Sequence, residues 1–409
     1  MPKFMPRGIV LLGQSRLIRR TFLQAPHAVM SEHYQYRFLR HAPRDGSTMQ
    51  MRPTRLERLH IDLWLVCLLL TAALIGLITL YSASAQDWGL VIRQAISFGI
   101  GFVVMLTLAQ IPPRIYQGFS PWFYAMGVTL LLAVMAVGEV RMGAQRWIDI
   151  PGFGSVQPSE FMKLGMPMMI AWYFASRVLP PSTPAVIGAL ALILIPVVLV
   201  AEQPDLGTSL VVMSTGLFVL FLAGLRWWKI GLAVGSLAVI VPVMWQFLMH
   251  DYQKRRVLTL LDPEADALGA GWNIIQSKIA IGSGGWFGKG YLNGTQSHLH
   301  FLPEGHTDFV IAAFTEEFGF FGLCLLMLLY MVIIFRAFHI SYTSTDSYGR
   351  LLAGAIGLSF FVYVFVNMGM VGGILPVVGV PLPFISYGGT AIITLMAGFG
   401  LLMSIKTHR

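Results

Sequence analysis

The sequence predicts an all-α polytopic integral membrane protein of about ten transmembrane helices, with a large extracytoplasmic loop between helices 7 and 8. Three observations predict it. Hydrophobic residues make up 56% of the chain against 11% charged, and the mean hydropathy is +0.70, whereas a soluble protein carries about a quarter charged residues. Apolar stretches near the ~20 residues that a membrane helix needs recur along the chain, and each can satisfy its own backbone as the bilayer requires. One polar, aromatic and glycine-rich stretch, 245–310, interrupts them.

Residues 1–60 are basic, with Arg16, Arg19, Arg20, Arg37, Arg40 and Arg44, and hold no apolar run long enough to span. The short run at 9–12 leads into arginines rather than a small-residue cleavage site, which argues against a signal peptide. We read 1–60 as a basic, disordered cytoplasmic tail and residues 1–48 as dispensable or an over-called start, with a regulatory arm as the alternative, since Met49 and Met51 precede the anchoring patch Arg52, Arg55 and Arg58. Residues 61–409 form the transmembrane domain. Its spans are expected at 63–81, 90–109, 121–138, 160–177, 185–201, 208–224 and 229–248, then at 309–335, 350–372 and 387–405. SASAQ at 82–86 imitates a cleavage site, but the apolar core before it is too long for a leader. Arg114, Arg177, Arg226, Lys229, Arg336, Arg350, Lys406 and Arg409 fall on one side of the spans. The positive-inside rule therefore puts both termini in the cytoplasm and the loop 249–308 outside. Most of the net charge of +9 sits in the first sixty residues, where it points to anionic membrane lipids rather than nucleic acid. Cys67 and Cys324 lie in apolar runs and provide no disulfide framework.

Long loops between spans carry function or are disordered, and this one is too rich in Trp, Ile, Leu and Phe for disorder. GSGGWFGKG at 282–290 is not a phosphate loop, because Ser283 and Gly290 stand where a Walker A sequence needs Gly and Ser/Thr. His298, His300 and His306 have no acidic partner at a zincin spacing. WNIIQSKIAI at 272–281 predicts a short helix with an apolar face at Ile274, Ile275 and Ile279, too short to span and suited to roof a groove. In LLDPEAD at 260–266, Asp262 fits an N-cap, with Pro263 and Glu264 in the first turn. A cap also fixes a carboxylate in space, so the same residue fits a general base.

Other polar residues lie at or inside the spans: Arg93 in the second, Glu160 and Lys163 on one face of the fourth, Glu202 and Asp205 around Pro204, and Glu316 and Glu317 in the eighth. A charge near mid-membrane costs several kcal/mol unless paired or hydrated. Two readings stay open: internal ion pairs, Lys163 with Glu160 or Asp205, or the lining of an outward-facing polar cavity.

Several segments together resemble the SEDS family (shape, elongation, division and sporulation) of bacterial cell-wall proteins. They are GAQRWIDI (143–150), QPSE (157–160), QPDLGTS (203–209), LLDPEADALGAGW (260–272), IQSKIAIGSGGWFGKG (275–290), GTQS (294–297), FLPEGHTDFV (301–310) and LPVVGVPLPFISYGGT (375–390). The resemblance covers about 60–409 and is stronger to the elongation member than to the division member, since Leu261 rather than Trp precedes Asp262. Trp272 and Gly305 depart from the family's usual residues.

The resemblance implies a peptidoglycan glycosyltransferase of the bacterial inner membrane. Such an enzyme polymerises lipid II at the outer face during elongation and rod-shape maintenance. It implies that Asp262 is catalytic and that Glu160, Lys163, Asp205 and Ser386 shape the cavity. It also implies a class B penicillin-binding protein and other elongation-complex membrane proteins as partners. A glycosidase needs two carboxylates because an alkoxide leaves poorly. Undecaprenyl pyrophosphate leaves well, so one base on the acceptor 4-hydroxyl can suffice. The pyrophosphate must meet positive charge, for which Lys254, Arg255, Arg256, Lys278 or a divalent cation are candidates. A lipid II flippase and a non-catalytic scaffold for cell-wall synthases are the competing readings.

Overall fold

The computed structural model describes residues 60–141, 144–150, 154–249, 251–266, 271–295 and 305–408. Residues 1–59 of the basic tail therefore lie outside the described residues, as do His298 and His300. Each of the ten predicted spans falls on a helix. These are α1 (Leu63–Ala83), α2 (Trp88–Ala109), α3 (Pro113–Val137), α4 (Pro158–Ala175), α5 (Thr183–Glu202), α6 (Leu206–Leu222) and α7 (Trp227–Val243) before the long loop. The loop holds α8 (Asp251–Leu261), a short turn at Pro263–Asp266, and α9 (Trp272–Gly284); α10 (Val310–Thr343), α11 (Ser347–Val371) and α12 (Gly389–Thr407) follow. Among the described residues, eight helices are long and apolar enough to cross a membrane. Of the ten, α4, which carries Glu160 and Lys163, and the shorter α6 are not among those eight.

Helix starts follow the chemistry of the orphan amides. Asp87, Asp205 and Asp346 accept from the first turns of α2, α6 and α11, from Gly89 N (2.7 Å), Thr208 N (3.1 Å) and Gly349 N (2.9 Å). Proline opens α3 and α4, where its missing N–H costs nothing. α4 is central to the core and buries most of its length, whereas α7 buries none of its residues. Its apolar surface faces outward all round, as in a lipid-facing helix.

The sequence reading contained no strands, yet 139–156 forms a small antiparallel sheet, β1 (Glu139–Arg141), β2 (Ala144–Ile150) and β3 (Gly154–Val156), in the order β1-β2-β3. It stands between α3 and α4 on the long-loop end of the bundle. A second non-helical stretch, 374–388, joins α11 to α12 inside the protein. Its backbone needs partners from elsewhere. Asn367 Nδ2 donates to the Asp308 (2.9 Å) and Val380 (2.8 Å) carbonyls, Tyr330 Oη to that of Pro383 (2.7 Å), and Gln94 Nε2 to that of Ser386 (3.0 Å).

At the opposite end, Asp62 binds Arg336 through both oxygens (2.9 and 3.0 Å) and Lys406 through one (2.9 Å), tying α1, α10 and α12. The His60 and His408 rings stack beside this cluster at 3.9 Å.

Candidate active site

The polar residues gather because three connections meet at one end of α4. Gln157, Glu160 and Lys163 come from the start of α4, Asp205 from the α5–α6 turn, and Arg146 from β2. Lys163 Nζ lies 2.5 Å from Glu160 Oε1, both nearly inaccessible, and 5.4 Å from the Tyr363 ring centroid. Asp205, while capping α6, accepts from Gln157 Nε2 (3.3 Å) and pairs with Arg146 Nη1 (3.6 Å). Arg146 also donates to the carbonyls of Gln203 (3.2 Å) and Pro204, so the sheet is tied to the α5–α6 turn. The close approach of α6 to the 374–388 stretch requires Gly207, where a Cβ would strike the Val378 carbonyl.

These groups line a cavity of about 620 Å³, together with Arg256, Asp308, Tyr363 and the backbone of 378–381. It holds three cations, Arg146, Lys163 and Arg256, and three carboxylates, Glu160, Asp205 and Asp308. For Glu160, Lys163 and Asp205 the two readings meet, since these ion-paired side chains are themselves part of the cavity wall. Beside it runs an apolar groove of about 470 Å³ between α2, α3, α4 and α12. Gln157, Glu160 and Thr390 line both.

Asp262 does not line this cavity. It is exposed after α8, accepts from Ala265 N (3.2 Å) as the cap of the Pro263–Asp266 turn, and faces a hollow of about 510 Å³ with Arg255, Leu258 and Thr259. α8 links the two spaces: Arg255 borders the hollow and the adjacent Arg256 reaches the cavity. The other predicted cations lie apart. Lys254, half-buried on α8, lines neither space, and Lys278 lies against Gly373 at the end of α11.

Ser386 corrects the sequence reading. It is buried and its Oγ accepts from Leu382 N (2.8 Å), so it holds the 374–388 turn rather than facing the cavity. α9 also differs from expectation. It buries Ile274, Ser277, Ala280 and Gly284 against α10 and α11, with Ser277 Oγ donating to the Val371 carbonyl (3.0 Å), and leaves Ile279 46% exposed. Of the three isoleucines Ile274 lies on this face, and the rest of it is small side chains, where Gly284 meets the Thr315 carbonyl. Glu316 and Glu317 are buried outside the cavity, bound to Lys289 (2.6 Å) and Ser82. Arg93 and Glu202 are exposed on the bundle surface. Among the described residues no three His, Cys, Asp or Glu side chains form a metal-holding cluster.

Arg146, Asp308 and Tyr363 were missed as site residues. The first two stood inside segments quoted for the resemblance. Tyr363 sits in an apolar run and gave no signal.

A polytopic helical membrane protein with a buried polar cavity beside an apolar groove is the class that fold and site define. Within it, the chain belongs to the FtsW/RodA/SpoVE cell cycle protein family, whose model matches residues 62–409. It is 52% identical over 353 residues to the peptidoglycan glycosyltransferase MrdB of Escherichia coli K12, covering 86% of this chain and 95% of that one. A chain in a structure describing the coordination of polymerization and crosslinking by a peptidoglycan synthase complex is 33% identical. It has a TM-score of 0.74 and covers 84% of this chain and 97% of its own. The crystal structure of the rod shape determining protein RodA of Thermus thermophilus is 28% identical with a TM-score of 0.64, covering 84% and 96%.

Proposed function

We propose that the chain polymerises lipid II into glycan strands, with Asp262 as general base. That it is a peptidoglycan glycosyltransferase is supported by the relative of that name at 52% identity along most of both chains. The observation that carries the substrate reading is the junction of the charged cavity with the apolar groove at Gln157, Glu160 and Thr390. A polar head on a long apolar tail is the shape of ligand that such a pair of spaces accepts.

In this reading Asp262 takes the proton of the acceptor 4-hydroxyl as that oxygen attacks the donor's anomeric carbon. The bond to undecaprenyl pyrophosphate breaks as the new one forms. A positioned base contributes about 10²–10⁴-fold, and the cations near α8 meet the departing charge. Cations and carboxylates in the cavity are equal in number, so a pyrophosphate arrives with surplus negative charge. A divalent cation would enter as its counter-ion rather than as a resident metal, because Glu160 and Asp205 are already committed to Lys163 and Arg146.

The site then faces the outside of the inner membrane, with both termini cytoplasmic. The basic residues at the end opposite the long loop support this orientation. The likeness to a chain of a peptidoglycan synthase complex supports a class B penicillin-binding protein as partner, within a set of elongation-complex membrane proteins. Residues 1–60 would be a tail outside the catalytic domain. The purified chain with its penicillin-binding partner, given lipid II in detergent, should produce glycan strands resolvable on a gel. No product from a verified complex would favour the flippase or scaffold reading.

A further inference from the structure

GSGGWFGKG, which lacks the spacing of a phosphate loop, closes around a break in α10. At Gly319 the helix leaves helical geometry (φ 67°, ψ −170°), and the loop supplies the partners that the break frees. Phe320 N and Phe321 N donate to the Gly285 (2.9 Å) and Trp286 (3.0 Å) carbonyls. Lys289 N and Gly290 N donate to those of Glu316 (3.0 Å) and Glu317 (3.1 Å). Gly288 (φ 80°) and Gly319 press together so closely that a Cβ on either would meet the other's backbone. Lys289 Nζ reaches the buried Glu316, and Tyr291 Oη donates to the Ile78 carbonyl (3.1 Å). Burial, then the nearby Glu317 and Tyr81, raises the Tyr291 phenol's pKa and keeps it a donor.

The loop is thus clamped, yet its two largest side chains point outward: Trp286 is 71% and Phe287 84% exposed. Trp286 packs edge-on against Phe320 (5.3 Å between centroids, 86° between planes), and Phe320 and Phe321 are exposed as well. After the break, 320–343 is about 36 Å long at ~1.5 Å per residue. That suffices to cross a hydrocarbon core of about 30 Å without the first part of the helix. Phe320 therefore marks the level at which the apolar surface of α10 ends. Just beyond it come Lys289, Thr295 and Glu316.

We propose that Trp286 and Phe287 form a rigid membrane anchor, seated at the headgroup–acyl boundary of the leaflet on the long-loop side. Aromatic side chains collect at that level because their rings are apolar while the surroundings are wet. The occupant is lipid because the patch continues the outward apolar face of α10 through Phe320, Phe321 and Leu325. A flexible glycine loop would absorb any such contact. This one transmits it to α9, which starts the same hydrogen-bonded unit, and so fixes the depth of the loop that carries Asp262. The anchor needs only that the chain spans a membrane, and it stands whether or not the chain polymerises lipid II.

The test is a nitroxide at Phe287→Cys in the full chain, with Cys67→Ala and Cys324→Ala removing the exposed native thiols. The protein is reconstituted in phosphatidylethanolamine–phosphatidylglycerol vesicles. Collision with oxygen is compared with collision with a water-soluble nickel chelate. The oxygen-to-nickel ratio should lie several-fold above that of a label at the exposed Glu264 and below that of one at Leu325. Brominated lipids should also quench less emission in Trp286→Phe than in the wild type. A ratio equal to that at Glu264 would place the loop in water and overturn the proposal. A label immobilised and shielded from both reagents would overturn it too, by showing the patch covered with protein.

Discussion

Replacing Lys163 with Ala removes one partner of the best-buried ion pair in the cavity wall. Both side chains are more than nine-tenths inaccessible and 2.5 Å apart. At an effective dielectric near 20, two charges at contact attract by roughly 4 kcal/mol or more, and desolvation costs each ion several kcal/mol. The intact pair therefore contributes little net stability, but removing one member strands the other. With Glu160 left charged between the cavity and the apolar groove, Lys163→Ala should destabilise by about 3–5 kcal/mol. Glu160→Leu with Lys163→Met removes both charges at similar volume and should recover most of that loss. The assay is denaturation of the purified variants in one detergent, followed by fluorescence, alongside lipid II polymerisation. A single variant as stable as the wild type, or a double variant no better than the single, would refute the reasoning. A folded double variant without polymerase activity would place the pair in substrate binding rather than in folding alone.

Two further outcomes follow from the packing. Asp62→Asn deprives Arg336 and Lys406 of their shared carboxylate; both cations are partly exposed and can turn to water, so we expect a loss of about 2–3 kcal/mol in the same denaturation assay, and an unchanged midpoint would contradict the tie between α1, α10 and α12. Gly319→Ala forces a Cβ into the backbone of Phe287 and Gly288 at positive φ; it should expose the amides of 288–290 to hydrogen exchange, while Gly282→Ala, which meets open space, should not.

Much of this was legible in the sequence because the relevant signals are local. A membrane helix declares itself by a run of about twenty apolar residues, and the ten expected segments, including the shorter α6 and the more polar α4, fell on helices. The spacing of Glu160 and Lys163 puts them on one helix face, and the Asp-Pro-Glu run announced the cap at Asp262. What escaped depends on distant partners. The glycines of 282–290 look alike in sequence, and the reason for Gly288 is the break at Gly319, about thirty residues on. Arg146 reaches Asp205 only because a small sheet folds between α3 and α4. The glycines and the Pro151 around the alternating run AQRWIDI were available as turn signals for that sheet, but the membrane pattern on either side outweighed them. The face of α9 was anticipated at Ile274 but not beyond it, because bulk was taken as the guide. In close helix packing, small residues such as Ser277, Ala280 and Gly284 decide which side goes in. Ser386 looked like a cavity hydroxyl, while its neighbourhood of irregular buried backbone needed an acceptor for the Leu382 amide.

The central claim is that Asp262 acts as a base, and Asp262→Asn tests it most directly. The amide keeps the side chain's shape and an oxygen for the Ala265 amide, and the position is exposed, so stability should change by less than about 0.5 kcal/mol. The variant should reach the membrane and hold its penicillin-binding partner. Supplied with lipid II in detergent, where nothing has to be flipped, it should polymerise about 10²–10⁴-fold more slowly than the wild type. Polymerisation at the wild-type rate by that intact complex would show that Asp262 only caps a turn, and that the base lies elsewhere.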